Sequence, residues 1–305
     1  MSAPKKRKSK YSGYGRFSSK SPKSSRRPPI TQQHETEKAF LGTKMRFKAK
    51  KQMETQKRLG KDLERANLIQ LSLMPKEIPL IKGYDIKVHY VSCNEIGGDY
   101  YDFIKIDDDH IGIVVADVSG KGISGAMIMT MARSVIRLVA EQNPDACETI
   151  KRVNQIMAPD IKNVMFLTMI YVVLNIKTNA IQVVNAGHNP LIHWNASKKQ
   201  HEIVNPPGIA VGFDTGKIFD STLKSHEMKM QKDDRMVVFT DGVVECKNHM
   251  DAEYGQDRLL SIIEETGELK SADFLNILVK DMQKFQGKSP QHDDVTVVAL
   301  TYIGK

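Results

Sequence analysis

The sequence predicts an α+β protein in which the strands pair antiparallel and the helices are grouped apart from them. Apolar runs rich in β-branched residues, which are typical of strands, come in neighbouring pairs and are followed by amphipathic helical stretches. Single strands alternating with single helices would instead predict a parallel sheet. The predicted strands are residues 85–91, 111–116, 168–176, 180–185, 236–240 and 295–302. The predicted helices of the same region are residues 125–141, 144–158, 257–265 and 271–285.

The first 34 residues are predicted to be a disordered, basic tail. Residues 1–29 contain ten Lys or Arg and no acidic residue, and they account for the net charge of +9 of the whole chain. Such a composition buries too little apolar surface to fold. The tail has three open interpretations: a solvated extension, a tether to a polyanion such as nucleic acid or an anionic membrane, or a nuclear import signal at Lys5-Lys6-Arg7-Lys8.

Residues 35–75 are predicted to form a helix that leads into a compact domain at 76–305. Apolar residues recur there at steps of three and four, which gives one apolar stripe on a charged helix. The stripe consists of Leu59, Leu63, Ala66, Ile69 and Leu73. It can pack against the compact domain, or residues 50–74 can pair with a second copy of the chain to form a homodimer.

Cysteine usage and hydropathy predict a cytoplasmic protein. Cys93, Cys147 and Cys246 lie far apart without CxxC spacing, which argues against disulfides and a zinc site. No apolar run is expected to approach the roughly 18–20 residues that span a bilayer. The basic N-terminus has no apolar stretch behind it, so no secretory signal and no transmembrane segment are predicted.

Acidic residues stand at the ends of the predicted strands, where the fold can bring them into one cleft. They are Asp99, Asp102, Asp117, Asp241, Asp293 and Asp294. Several carboxylates in one cleft repel each other unless a cation is present. Ligands made only of oxygen suit a hard divalent ion such as Mg²⁺ or Mn²⁺. The sequence therefore predicts a divalent metal site.

Two neighbouring features are excluded from this site. Asp107-Asp108-Asp109 has no glycine beside it and is predicted to be a hairpin tip. The segment after Asp117 looks like a phosphate-binding strand–loop–helix, but Lys121 is followed by Gly122 rather than by Ser or Thr. A nucleotide-binding P-loop is therefore not expected.

Five motifs occur in the order typical of one family. They are Gly-Gly-Asp-Tyr-Tyr-Asp (97–102), Ala-Asp-Val-Ser-Gly-Lys-Gly (116–122), Asn-Ala-Gly-His-Asn-Pro (185–190), Thr-Asp-Gly-Val-Val-Glu (240–245) and Gln-His-Asp-Asp-Val-Thr (291–296). With them the chain resembles the PPM-type metal-dependent serine/threonine phosphatases of the SpoIIE/RsbU branch over about residues 62–303.

The resemblance implies an αββα sandwich of two antiparallel sheets with two Mn²⁺ or Mg²⁺ ions at one end. The implied catalytic residues and metal ligands are Asp99, Asp117, Asp241 and Asp293, together with the carbonyl of Val118. Asp102 and Asp294 could bind a further ion or orient waters on the ions, and His292 could support the ligands. His188 is expected to fix a turn rather than to act as an acid.

The resemblance also implies hydrolysis of phosphoserine or phosphothreonine by a water that two metals activate. The implied substrate is a phosphorylated regulatory protein, with a STAS-type anti-sigma-factor antagonist as the specific candidate. Cys93–Ile96 stands where many eukaryotic relatives have a phosphate-binding arginine, so partner docking should contribute much of the substrate affinity. The alternative is a catalytically weak signalling scaffold whose basic tail tethers it to nucleic acid or membrane.

A regulatory switch is implied in the segment after Asp117. It contains Gly120, Lys121, Gly122 and Gly125, and its position would decide whether the metal site is complete. The helix at residues 50–74 would move it.

Overall fold

The computed structural model describes residues 30–120, 122–141, 143–161 and 165–304. Residues 1–29 of the predicted tail and Lys121 therefore lie outside the described residues. The chain divides into two compact units, residues 1–58 and residues 59–305. Helix α1 (Ile30–Leu73) is the only described element in the first unit, and its last part, from Leu59 on, belongs to the second. The helix takes in residues 30–34, which were predicted to belong to the tail.

Within the described ranges, ten strands form two antiparallel sheets of five strands each. The first sheet has the order β1 (Tyr84–Val91), β10 (Val295–Tyr302), β9 (Arg235–Phe239), β6 (Leu191–Asn195) and β7 (Gln200–Val204). The second sheet has the order β2 (Tyr100–Lys105), β3 (His110–Val118), β4 (Leu167–Asn175), β5 (Ala180–Ala186) and β8 (Ser225–Lys229).

Helices cover the outer faces of both sheets. Helices α2 (Ile123–Ala140) and α3 (Ala146–Ile161) pack against the second sheet, and α5 (Gln256–Glu265) and α6 (Ser271–Gln286) pack against the first. The short α4 (Lys217–Thr222) contacts α3. Between the sheets lies a core of aliphatic side chains from both. The predicted αββα sandwich is confirmed.

Strand register brings the acidic motifs to one end of the sandwich. Tyr100 at the start of β2 pairs with Ala116 near the end of β3, so Asp99 comes to lie beside Asp117. Asp117 in turn pairs with Thr168 on β4. These residues lie in one sheet, and β9 and β10 of the other sheet reach the same end.

All six predicted strands and all four predicted helices of the compact domain are present, with ends shifted by a few residues. The predicted hairpin tip at Asp107–Asp109 is also confirmed, because β2 ends at Lys105 and β3 begins at His110. Strands β2, β6, β7 and β8 were not predicted. They are five or six residues long and carry polar or charged side chains, so they lack a clear apolar run.

Among the described residues, one helix, α2, is long and apolar enough to cross a membrane by length and composition. This corrects the expectation that no apolar run approaches that length. Met129, Ala132 and Ile136 on α2 are fully buried in the core on the outer side of the second sheet. An apolar helix packed in this way is what the sandwich requires of its covering layer.

Candidate metal centre

A cavity of about 220 Å³ lies at the end of the sandwich where the acidic motifs meet. Asp117, Asp241, Asp293 and Asp294 line it. Asp99 is buried beside it, with its carboxyl group in hydrogen-bonding contact with that of Asp117. The fold thus brings together five acids from four separate motifs.

Electrostatics at this cavity favour a bound cation. Burial and the negative charge of Asp117 raise the pKa of Asp99 well above its usual value. Burial raises the pKa of Asp117 to about 7, and the charges of Asp241, Asp293 and Asp294 add to the increase. Among the described lining residues none is Lys or Arg, and a positive charge in the cavity would offset the repulsion between these carboxylates. A divalent ion would supply that charge.

The donor set fits Mg²⁺ or Mn²⁺, which bind through oxygen. Val118 lines the same cavity, as the predicted carbonyl ligand must. In the described part of the chain, no three His, Cys, Asp or Glu side chains form a ready-made ligand cluster. The carboxylates stand around an open space instead. That arrangement suits ions that keep several waters and take only one or two carboxylates each.

Two threonines fix the orientation of the Asp99 carboxylate. The hydroxyl of Thr240, directly after β9, donates to Asp99 Oδ2 at 2.8 Å. The hydroxyl of Thr296 on β10 donates to the same oxygen at 2.5 Å. Neither role was predicted from the sequence, although each threonine lies within three residues of a predicted acid. Neither threonine bonds to the other carboxylate oxygen of Asp99, Oδ1.

Asp294 holds the loop that carries Asp99. Its carboxylate accepts hydrogen bonds from the backbone N–H of Cys93 at 2.7 Å, of Gly98 at 2.7 Å and of Asp99 at 3.3 Å. It also accepts one from the hydroxyl of Ser92 at 3.1 Å. Because most of its acceptor capacity is used within the protein, Asp294 positions the Asp99 loop.

Three glycines allow these close approaches. A Cβ atom on Gly97 would lie 2.4 Å from Asp294 Oδ2, and one on Gly242 would lie 1.9 Å from the Asp294 carbonyl oxygen. A Cβ atom on Gly98 would lie 3.2 Å from the Val118 carbonyl oxygen. Side chains at these positions would push the acidic loops apart.

The end of α1 is hydrogen-bonded to the same loop. Gln70 is 5% exposed, and its side-chain amide both donates to and accepts from the backbone of Gly97. Arg133 on α2 donates to the carbonyl of Leu73, the last residue of α1. The predicted stripe packs only in part, since Leu59 and Ile69 are more than half exposed. The hydrogen bonds of Gln70 to Gly97 could not be predicted, because a glutamine in a charged helix is usually solvated.

Asp102 is not brought to the cavity. Its fully buried carboxylate forms a bidentate ion pair with Arg137 of α2, at 2.5 and 2.8 Å. It also accepts a hydrogen bond from the hydroxyl of Tyr100 at 2.5 Å. Because residues on a strand alternate between faces, Asp102 points to the helical layer.

His292 is exposed and lines an adjoining pocket instead of the acidic cavity. His188 is buried, and burial lowers its pKa to about 4, so the ring is neutral. Its Nδ1 lies 2.8 Å from the hydroxyl of Thr168, a cavity residue. Its backbone N–H donates to the side chain of Asn185 at 2.7 Å, which fixes the turn.

Part of the predicted switch borders the cavity. Gly120 and Gly122 line it, and both have a positive φ, at 94° and 79°. A Cβ atom on Gly125, in the first turn of α2, would lie 2.5 Å from the Gly120 carbonyl oxygen. The segment therefore connects the cavity to α2 through close backbone contacts.

The chain is similar to known proteins in both sequence and fold. The family model of Stage II sporulation protein E (SpoIIE) matches residues 107–303. Phosphoserine phosphatase RsbU of Bacillus subtilis is 27% identical over 245 residues, which cover 80% of this chain and 71% of RsbU. Two other relatives are covered over only 41% and 45% of their own length.

Solved structures share the fold. The SiaA-PP2C domain of Pseudomonas aeruginosa superposes with a TM-score of 0.71 at 19% identity, covering 81% of this chain and 98% of that domain. RsbX in complex with magnesium superposes with a TM-score of 0.53 at 17% identity, covering 74% of this chain and 98% of RsbX.

Proposed function

The chain belongs to the SpoIIE family of PPM-type phosphatases, and on that premise we propose that it hydrolyses phosphoserine or phosphothreonine on a protein partner with divalent cations as cofactors. The observation that carries the proposal is the meeting of Asp99, Asp117, Asp241 and Asp293 at one cavity. RsbU, which is similar over most of this chain, is named a phosphoserine phosphatase.

Asp99, Asp117, Asp241, Asp293 and the carbonyl of Val118 are the groups that we propose hold two ions, Mn²⁺ or Mg²⁺. Such ions, when bound, lower the pKa of water and neutralise the charge on a phosphoryl group. A phosphate dianion would otherwise be repelled from a cavity in which the described lining residues carry only negative charge. The proposed ions would thus explain both why acidic residues line the cavity and how a negatively charged substrate can bind there.

The residues around the ligands keep the site in one geometry. Thr240 and Thr296 orient Asp99, and Asp294 holds the loop before it. We therefore propose that Asp294 is a positioning residue. Asp102 is left out of the ligand set because Arg137 neutralises it.

The substrate is proposed to be a phosphorylated regulatory protein, with a small STAS-type antagonist as the specific candidate. Neutral Asn94, Ser119 and Thr168 line the cavity beside the acids. No lysine or arginine is among the described lining residues, and we propose that docking outside the cavity supplies much of the affinity beyond that for the phosphoryl group. The proposal includes a regulatory switch at Gly120–Gly125 and a homodimer formed through residues 50–74. It also includes contact between the basic tail and a polyanion, and a cytoplasmic location.

Hydrolysis of p-nitrophenyl phosphate and of a phosphoserine peptide by the purified full chain tests the proposal. We expect hydrolysis with Mn²⁺ or Mg²⁺, its loss on chelation and its return on adding the metal. Asp117→Asn and Asp241→Asn should abolish it, whereas Asp108→Asn at the exposed hairpin tip should not. A metal-replete wild type that hydrolyses neither substrate would favour the scaffold alternative.

The cellular substrate can be found by comparing phosphoproteins in cells that carry the wild type or Asp117→Asn. Proteins whose phosphorylation rises with the variant are candidate substrates. If none changes while the purified enzyme is active, the phosphoprotein assignment is contradicted.

A further inference from the structure

A second pocket adjoins the metal cavity. Asp293 lines both, so the two spaces meet at that residue. The volume of this side pocket is about 130 Å³. An engineered cavity of about 150 Å³ in another protein binds benzene. The side pocket therefore has room for one apolar side chain.

Aliphatic side chains from three elements form part of the walls of the side pocket, and polar residues such as Glu245 and Lys247 also line it. Val91 ends β1, Val295 begins β10, and Val279 and Met282 lie on α6. Val91 is 40% exposed, so the pocket is open to solvent. An open apolar pocket beside an acidic cavity can gain free energy by taking up an apolar group from water.

Away from the metal cavity, the side pocket continues into a groove of about 340 Å³ between β1 and α6. His89, Val279 and Gln283 line both spaces. Both polar and apolar residues line the groove, and they include Lys87 and Lys280. Because β1 is an edge strand of its sheet, the groove runs along a side that none of the described strands covers.

We propose that the side pocket binds an apolar side chain of the phosphoprotein substrate, within about three residues of the phosphorylated one. This inference rests on the proposed phosphatase function. Three contiguous spaces, one acidic, one largely apolar and one of mixed character, fit an extended polypeptide better than a compact small molecule. An extended chain advances about 3.3–3.6 Å per residue, so a near neighbour of the phosphoresidue reaches the next pocket.

The side pocket would therefore add specificity that the acidic cavity lacks. Burying a leucine side chain instead of alanine is expected to raise kcat/KM by roughly ten- to a hundredfold. A substrate without a neighbouring side chain gains nothing from the pocket. Specificity for the peptide and activity on a small phosphoester are thus separable.

The test uses phosphoserine peptides that carry leucine in turn at each of the three positions before and after the phosphoserine, with alanine at the others. Kinetics are measured on the metal-loaded full chain, with p-nitrophenyl phosphate as the small substrate. We expect leucine at one or two positions to raise kcat/KM by about tenfold or more over the all-alanine peptide.

Val279→Phe fills the side pocket and should remove the preference for leucine, leaving hydrolysis of p-nitrophenyl phosphate within about twofold of the wild type. Ile277→Phe is the matched control, because Ile277 lies on the same helix, is 38% exposed and lines none of these three spaces. Val91→Phe fills the side pocket from the β1 side at an exposed position, and so serves if Val279→Phe folds poorly.

A leucine preference that survives both filling variants overturns the inference, as does a wild type that hydrolyses all the peptides equally well. Failure of the phosphatase function itself gives a different result. In that case the metal-loaded wild type hydrolyses neither the peptides nor p-nitrophenyl phosphate.

Discussion

The side chain of Gln70 and the backbone of Gly97 exchange two hydrogen bonds. Gln70 Nε2 donates to the Gly97 carbonyl at 2.7 Å, and the Gly97 N–H donates to Gln70 Oε1 at 3.0 Å. The next residue, Gly98, is bonded to Asp294, and Asp99 follows it. The last turn of α1 is thereby connected to the loop that carries a proposed metal ligand.

Gln70→Ala should weaken metal binding without removing any ligand. The loop before Asp99 would lose both bonds, and residues that support ligands typically contribute ten- to a hundredfold to metal affinity. We expect the Mn²⁺ concentration for half-maximal hydrolysis of p-nitrophenyl phosphate to rise by about tenfold or more. Gln56→Ala, an exposed glutamine on the same helix, is the control. An equal Mn²⁺ requirement in both variants would show that the contact does not matter for the site.

Asp117→Asn should stabilise the metal-free protein and should reduce the further stabilisation that Mn²⁺ provides. Without metal at pH 8, ionised Asp117 destabilises the fold, because its raised pKa of about 7 means that stability is lost as the pH rises through that value. Removing the charge should therefore stabilise the metal-free protein by about 1–4 kcal/mol. Bound Mn²⁺ should stabilise the wild type by about 3 kcal/mol at a hundredfold excess over Kd, but the variant much less.

Urea unfolding with chelator and with Mn²⁺ measures both effects. Asp108→Asn serves as the control, since its side chain is 93% exposed at the hairpin tip. A Mn²⁺-dependent gain in stability that is the same in Asp117→Asn and in the wild type would remove Asp117 from the ligand set.

The acidic residues of the site could be predicted because most of them stand next to an apolar run in the sequence. Asp117 and Asp241 directly follow apolar runs, and Asp293 precedes one, so their position at strand ends follows from the pattern. Register then decides which strand ends meet. The pairing of Tyr100 with Ala116, which sets Asp99 beside Asp117, depends on a short strand that the pattern did not predict.

The supporting residues could not be predicted because their roles depend on distant partners. Gln70 looks like a solvated residue of a charged helix, and its partner Gly97 lies 27 positions away. Asp102 shares a motif with Asp99, yet strand alternation directs it to Arg137 on the other side of the sheet. Local spacing does not show which face of an unpredicted strand a residue occupies.

The pair formed by Asp102 and Arg137 should contribute to stability and not to metal binding. Arg137→Leu leaves a fully buried carboxylate without its cation, which costs about 3–5 kcal/mol in such pairs. In the double variant Asp102→Leu with Arg137→Leu, we expect much of that stability to return, because no unpaired charge remains. Urea unfolding of the wild type, the single variants and the double variant gives the coupling energy.

Mn²⁺ titration of the folded double variant completes this test. We expect the double variant to need the same Mn²⁺ concentration for half-maximal hydrolysis as the wild type, because Asp102 does not line the cavity. A Mn²⁺ requirement raised by tenfold or more would instead return Asp102 to the proposed metal site.

His188 should make the fold sensitive to acid. Burial lowers its pKa to about 4, so in the folded state the ring stays neutral while the unfolded chain takes up a proton below about pH 6.5. The stability from this group is complete above pH 6.5 and is lost as the pH falls to about 4, by up to about 3 kcal/mol. His188→Gln should remove this part of the pH dependence, whereas His226→Gln, at an exposed position on β8, should keep it. Urea unfolding between pH 4 and 7 measures how steeply the free energy of unfolding changes with pH. Equal slopes for His188→Gln and the wild type would contradict the assignment of this pH dependence to His188.

Because His188 is not an imidazolium near pH 7, it cannot act there as a general acid. His188→Gln should therefore also keep hydrolysis of p-nitrophenyl phosphate within several-fold of the wild type.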